Sequence, residues 1–140
     1  YWGHSPERAT IERYEAAGGT GPRYAQLNLC WAADAAEARR TVHEIWPNGG
    51  VTGQLSQDLP TWTHFEQAAE MVTEEAATAN TPCGPDVEPL LASVEEFLDA
   101  GYDHLYFHQI GPDQAGFFEF WTDALQPALG DLAPVAAHAS

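Results

Sequence analysis

A chain of 140 residues is long enough for about one domain, and 44% hydrophobic with 11% aromatic content suits a globular chain rather than a disordered one. Twenty-one Asp and Glu stand against five Arg and no Lys, a formal charge of −16. The imbalance is uneven: residues 1–40 sum to zero, while residues 41–140 hold sixteen acids and no Lys or Arg, which excludes the basic face that nucleic acid needs and disfavours an anionic membrane.

Taken in chain order, Ser5-Pro6-Glu7 reads as a helix start, with Ser5 as cap, Pro6 at the first helical position and Glu7 at the positive end of the dipole. That helix is predicted to run to about Ala17 and stop at Gly18-Gly19. From Tyr24 to Trp31, Ala25, Leu27, Leu29 and Trp31 alternate with Gln26, Asn28 and Cys30, the period of a strand with one polar face. Asp34-Ala-Ala-Glu37 resembles a capping box. Ala38, Val42, Ile45 and Trp46 then mark one helix face, ended by Pro47-Asn48-Gly49-Gly50. Residues 47–60 read as a loop of the length that is usually functional. Thr63-His-Phe-Glu66 is a second capping box, followed by the stripe Phe65, Ala68, Ala69 and Val72. After Pro82-Cys-Gly-Pro-Asp86, Leu90, Leu91, Val94, Phe97 and Leu98 predict a helix closed by Gly101. A strand from Tyr102 to Gln109 sets Leu105 and Phe107 against His104, Tyr106 and His108. Gly111-Pro112-Asp113 opens a last helix with Phe117, Phe120, Trp121 and Leu125 on its apolar side, and an Ala-rich tail at 131–140 is expected to fray.

This order is βα-repeat chemistry, with parallel strands covered by helices. A doubly covered parallel strand is nearly continuous Val, Ile and Leu, whereas both strands here keep a polar face. A polar inner face and an apolar outer face fit the wall of a barrel that holds a ligand. Two or three parallel strands cannot close a barrel. The chain is therefore expected to be part of an α/β (β/α)8 TIM barrel, a fold of about 250 residues or more. Tyr1 in place of Met agrees with a processed product or a piece of a longer chain. On this reading, residues 1–140 in isolation are expected to aggregate or stay molten, and to require the N-terminal part of the barrel.

Seven strings carry a resemblance: 16–22 (AAGGTGP), 30–41 (CWAADAAEARRT), 46–48 (WPN), 53–60 (GQLSQDLP), 64–70 (HFEQAAE), 82–86 (PCGPD) and 107–114 (FHQIGPDQ). In their order and spacing they are similar to the C-terminal portion of the luciferase-like oxidoreductases (LLM class), in the coenzyme F420 (deazaflavin) dependent branch related to glucose-6-phosphate dehydrogenase. The resemblance implies that residues 1–130 supply the end of strand six, strands seven and eight and helix eight of one bacterial luciferase-like barrel, with an insertion at about 47–82. It implies hydride transfer between the deazaflavin and a small-molecule organic substrate, with the cofactor bringing the reactivity. It also suggests a homodimer. The alternative cofactor is FMN, in a luciferase-like monooxygenase. The alternative of another class is a non-catalytic acidic binding module.

Active sites of such barrels lie at the C-terminal strand ends, here Gly3-His4-Ser5, Cys30-Trp31 and His108-Gln109. The cofactor-binding or substrate-pocket candidates are His4, Ser5, Asn28, Cys30, Trp31, Trp46, His108 and Gln109; no catalytic residue is assigned. In the glucose-6-phosphate enzymes a Thr-Ser-Gly-Lys string holds the sugar phosphate, and His4-Ser5-Pro6-Glu7 stands in its place. Glu7 would repel that dianion, so a phosphosugar substrate is not expected. No metal is expected: His104 and His108 share a strand face about 13 Å apart, and Cys30 and Cys83 lack a ligand spacing and read as free thiols. No run reaches the roughly 18 apolar residues of a membrane span and no secretory signal opens the chain, so a cytoplasmic location is expected. The Lys-free acidic surface fits a high-salt host or a GC-rich genome, and both stay open.

Overall fold

Alternating apolar and polar residues build the sheet. In the computed structural model, which describes residues 1–51 and 53–132, strands β1 (Trp2–Gly3), β2 (Tyr24–Leu29) and β3 (His104–Gln109) lie in the order β1-β2-β3. β1 pairs in parallel with β2, Trp2 opposite Tyr24 and Gly3 opposite Ala25. The Arg23 carbonyl accepts from the His104 N–H, and the Leu29 carbonyl accepts from the Ile110 N–H. Both strands advance equally between these bonds, so β3 is parallel to β2 as well. Ala25, Leu27 and Leu29 are buried while Tyr24, Gln26 and Asn28 are half-buried, the alternation expected from the sequence.

The chain forms two compact units, and the division falls within β2 and β3. The first comprises Tyr1–Leu27, Asp86–Phe107 and the chain from Ala115 onward. It holds α1 (Arg8–Ala16), α6 (Glu88–Ala100) and nearly all of α7 (Gln114–Phe120), then a π-helical turn (Trp121–Leu125) and α8 (Gln126–Leu132). α1 and α6 pack together: the Arg8 guanidinium donates to the Asp99 carbonyl at 3.0 Å. Gly101, at φ +103°, closes α6 as predicted and lies against Ile11. Leu90, Val94, Phe97, Phe117 and Leu125 are buried. Leu98, assigned to the same stripe by spacing, is 40% exposed.

Two features of this unit differ from the sequence reading. α1 starts at Arg8 with Glu7 as its N-cap residue, because the Ser5 carbonyl is taken by the Glu7 N–H at 2.9 Å and the Tyr102 hydroxyl at 3.1 Å. Ser5 is therefore outside the helix and does not cap it. The last helix is interrupted by the π turn, where an extra residue per turn is accommodated and Leu125 reaches full burial. α8 continues to Leu132; the remainder of the expected frayed tail lies outside the described residues.

The second unit comprises Asn28–Pro85 and His108–Gln114, so it contains the C-terminal ends of β2 and β3. Its helices are α2 (Ala35–Ile45), a 3-10 turn (Pro47–Gly50), α3 (Leu55–Asp58), α4 (Trp62–Ala69) and α5 (Glu74–Thr78). Asp34 caps α2 as predicted, accepting the Glu37 N–H at 2.8 Å. The core is Cys30, Ala38, Val42, Ala77 and Ile110, with Ala32, Val72 and Cys83 packed against it. Ile45 and Trp46 are 53% and 37% exposed. Trp46 is the cap residue at φ −129° and ψ 41°, where the helical periodicity that placed it on the buried face no longer applies. α4 is capped by Thr61 rather than Thr63, since Thr61 has the extended backbone a cap requires. The segment 47–60, read as loop, holds the 3-10 turn and α3, and α5, capped by Thr73, was not expected.

Candidate functional site

The C-terminal ends of β2 and β3 bring Asn28, Cys30, Trp31, His108 and Gln109 into the second unit, and the end of α2 brings Trp46. They form two arrangements. In the first, His108 Nδ1 lies 2.9 Å from Asn28 Oδ1. A carbonyl oxygen accepts, so Nδ1 is the donor in this contact. The Trp46 indole meets the same imidazole edge-on, ring centres 5.2 Å apart. Trp46 is carried there by the end of α2, its N–H bonded to the Val42 carbonyl at 2.7 Å. The result is a half-buried imidazole oriented by an amide on the neighbouring strand, with an aromatic wall.

The second arrangement is a clamp. The Gln109 amide accepts from the Trp31 N–H at 2.8 Å and donates to the Trp31 carbonyl at 3.0 Å. Gln109 is 8% exposed, so both partners matter: a buried polar group must be bonded. Gly111 makes room for it. A Cβ there would lie 2.8 Å from Gln109 Nε2 and 3.2 Å from the Trp31 carbonyl. Gln109 thus fixes the backbone at Trp31 rather than facing open solvent.

Cys30 leaves the polar face of β2. It is 1% exposed and sits in the apolar cluster, because the strand ends at Leu29 and the alternation that would group it with Gln26 and Asn28 stops there. Burial pushes its thiol up; a hydrogen bond from the Gly111 backbone opposes this and Glu37 adds to it. Such a thiol is a core residue, not one activated toward a substrate.

His4 and Ser5 are exposed residues of the first unit. His4 lies edge-on to Trp2, ring centres 6.2 Å apart. On the sheet of that unit, Tyr24 contacts His104 at 4.6 Å and Trp2 contacts Tyr106 at 5.0 Å between ring centres. The face read from sequence as polar is therefore largely aromatic there. Among the described residues, no group of three or more His, Cys, Asp or Glu could hold a metal ion, and no helix is long and apolar enough to cross a membrane.

Sequence reasoning missed the partners that build the second unit. His43 Nε2 lies 2.7 Å from the Val72 carbonyl, tying α2 to the segment before α5. Gly84, at φ +116°, abuts Ala35. The only trace of these in the sequence is the glycine itself.

No family model matches the chain. It is 30% identical over 89 residues to F420-dependent glucose-6-phosphate dehydrogenase 1 of Rhodococcus jostii, covering 64% of this chain and 27% of that protein. It is 25% identical over 111 residues to the F420-dependent glucose-6-phosphate dehydrogenase of Rhodococcus hoagii, covering 79% and 33%. Over part of its length the chain is similar to F420-dependent dehydrogenases. This bears out the resemblance carried by the seven strings. The chain spans between a quarter and a third of the length of these relatives. Its fold matches an F420-dependent secondary alcohol dehydrogenase, solved in complex with an F420-acetone adduct, with a TM-score of 0.63 at 16% identity over 81% of this chain and 35% of that one. The shared fold is α/β with a parallel sheet.

Proposed function

We propose that the chain is the closing portion of a luciferase-like (β/α)8 barrel that uses coenzyme F420 to move a hydride to or from an uncharged or cationic organic substrate. The observation that carries this reading is the similarity, over most of the chain, to enzymes named for F420 dependence. The parallel sheet supports the barrel, with strand ends that carry Asn28 and His108 beside Trp46 from the end of α2, because barrel enzymes place their chemistry at those ends.

The residues present fit a flat heteroaromatic cofactor. A partly exposed indole and an oriented imidazole give an edge that can stack and hydrogen-bond. When bound, the deazaflavin supplies the hydride-accepting centre. Asn28 orients the His108 ring through Nδ1. The imidazole so placed is the group proposed to take the hydroxyl proton when an alcohol is oxidised and to return it in the reverse direction. Trp46 keeps water from one edge of the imidazole. Gln109 holds the Trp31 backbone that follows β2. His4 and Ser5, at the end of β1 in the first unit, are a separate proposal as ligand contacts.

The relatives' named substrate is a phosphosugar, and this chain departs there. Glu7 is the exposed N-cap residue of α1, with its carboxylate accepting from the Thr10 hydroxyl at 3.3 Å. It adds negative charge where a helix N-terminus would otherwise favour an anion. With the intact protein and F420, glucose-6-phosphate should reduce the cofactor at least about 100-fold more slowly than a neutral alcohol that is turned over, a barrier difference of about 2.7 kcal/mol. The loss of the oxidised cofactor's visible absorbance is the readout. Brisk reduction by glucose-6-phosphate would overturn the substrate assignment.

A further inference from the structure

Cys30 and Cys83 are 53 residues apart in sequence, yet they are bridge partners where the end of β2 runs parallel to the segment before α6. The Cys30 N–H donates to the Pro82 carbonyl at 2.9 Å, and the Gly84 N–H to the Cys30 carbonyl at 3.0 Å. Paired strands stand roughly 4.7–4.9 Å apart, inside the range of about 4.4–6.8 Å between Cα atoms that a disulfide spans. Both residues are free thiols, and Cys83 packs on the same apolar cluster that contains Cys30. The backbone around them is held on both sides. Gly84 abuts Ala35, and the Gln109 amide bonds Trp31, the residue after Cys30.

We propose that Cys30 and Cys83 form an oxidisable dithiol that closes to an intramolecular disulfide on reaction with a hydroperoxide. Cys83 is the point of entry, being half-buried where Cys30 is 1% exposed. Its sulfur attacks the peroxide, the O–O bond breaks, and Cys83 becomes a sulfenic acid while the peroxide leaves as an alcohol or water. The Cys30 sulfur then attacks the Cys83 sulfur; the S–S bond forms, the S–O bond breaks, and the hydroxyl departs as water with the Cys30 proton. Two thiols are oxidised by two electrons and one hydroperoxide is reduced. The dithiol is stable at neutral pH because the attacking species is the thiolate. The Cys83 thiol donates to the Thr81 carbonyl at 3.1 Å, and burial, with the neighbouring Cys30, pushes it up to about 11. Oxidation therefore accelerates about tenfold per pH unit between neutrality and that value.

The test is oxidation of the intact protein by hydrogen peroxide at several pH values, with acid quenching, alkylation under denaturing conditions and mass spectrometry. The expected product has lost two hydrogen atoms, takes up no alkylating agent, yields a peptide joining Cys30 to Cys83, and forms faster as the pH rises. In Cys83→Ser, Cys30 should stay reduced and fully alkylated under the same treatment. A sulfinate on Cys83 beside an alkylatable Cys30, or disulfide-linked dimers, would overturn the proposal. Oxidation of Cys30 in Cys83→Ser at the wild-type rate would do so as well.

Discussion

Gln109 and His108 are sequence neighbours with different work. Gln109 is buried and spends both ends of its amide on the Trp31 backbone. Replacement by Leu keeps much of the volume but strands an N–H and a carbonyl; a loss of about 2–3 kcal/mol is expected in urea unfolding of the intact protein. Gln109→Glu tests the cause, since a carboxylate can accept from the Trp31 N–H but faces the Trp31 carbonyl with an acceptor instead of a donor. It should also destabilise despite being isosteric. Wild-type stability in both variants would show that the clamp contributes nothing. The clamp is invisible in the sequence: its residues are 78 positions apart, and a Gln at a strand end reads equally well as a pocket lining. Asn28 and His108 were legible as strand residues sharing a polar face, but their direct pairing, across 80 positions, required the register.

At the level of elements, local chemistry decided what could be read. Asp34 and Gly101 cap where sequence places them because a cap is a contact within a few residues. Ala25, Leu27 and Leu29 alternate as expected because a strand's period is fixed by geometry. Where two neighbouring residues could cap, as with Thr61 and Thr63, backbone conformation chose. α5 is five residues long, too short for a periodic stripe to mark it. The starts of β2 and β3 are joined by charge. Arg23 bonds Asp103 through its backbone N–H at 2.9 Å and its guanidinium at 3.1 Å, and reaches Glu15 at 2.8 Å. Burial alone would raise the Asp103 carboxyl, but His104 and the two Arg23 donors outweigh it and hold it below the usual carboxylate range. A depressed carboxylate stabilises the fold above its unfolded pKa, near 4, and loses that contribution as pH falls through its folded value. Asp103→Asn should therefore cost about 1 kcal/mol near neutrality, a modest figure because the pair is partly solvated. The gap between variant and wild type should close as the pH falls through the depressed folded value of Asp103. A gap independent of pH would assign the loss to packing rather than charge.

The whole molecule returns to its charge. A −16 chain with no Lys or Arg beyond Arg40 keeps a parallel α/β fold and a similarity to F420-dependent dehydrogenases. Composition and the seven strings made this relationship legible, because they are properties of the linear chain. The aromatic character of the first unit's sheet face was not, because it depends on which strands lie side by side. The claim that binds these levels is the cofactor. Titrating the intact protein with F420 and, separately, with FMN, and following the visible spectrum of the cofactor retained with the protein after gel filtration, tests it directly. Retention of the deazaflavin and not of FMN is predicted; retention of FMN with no binding of F420 would contradict it.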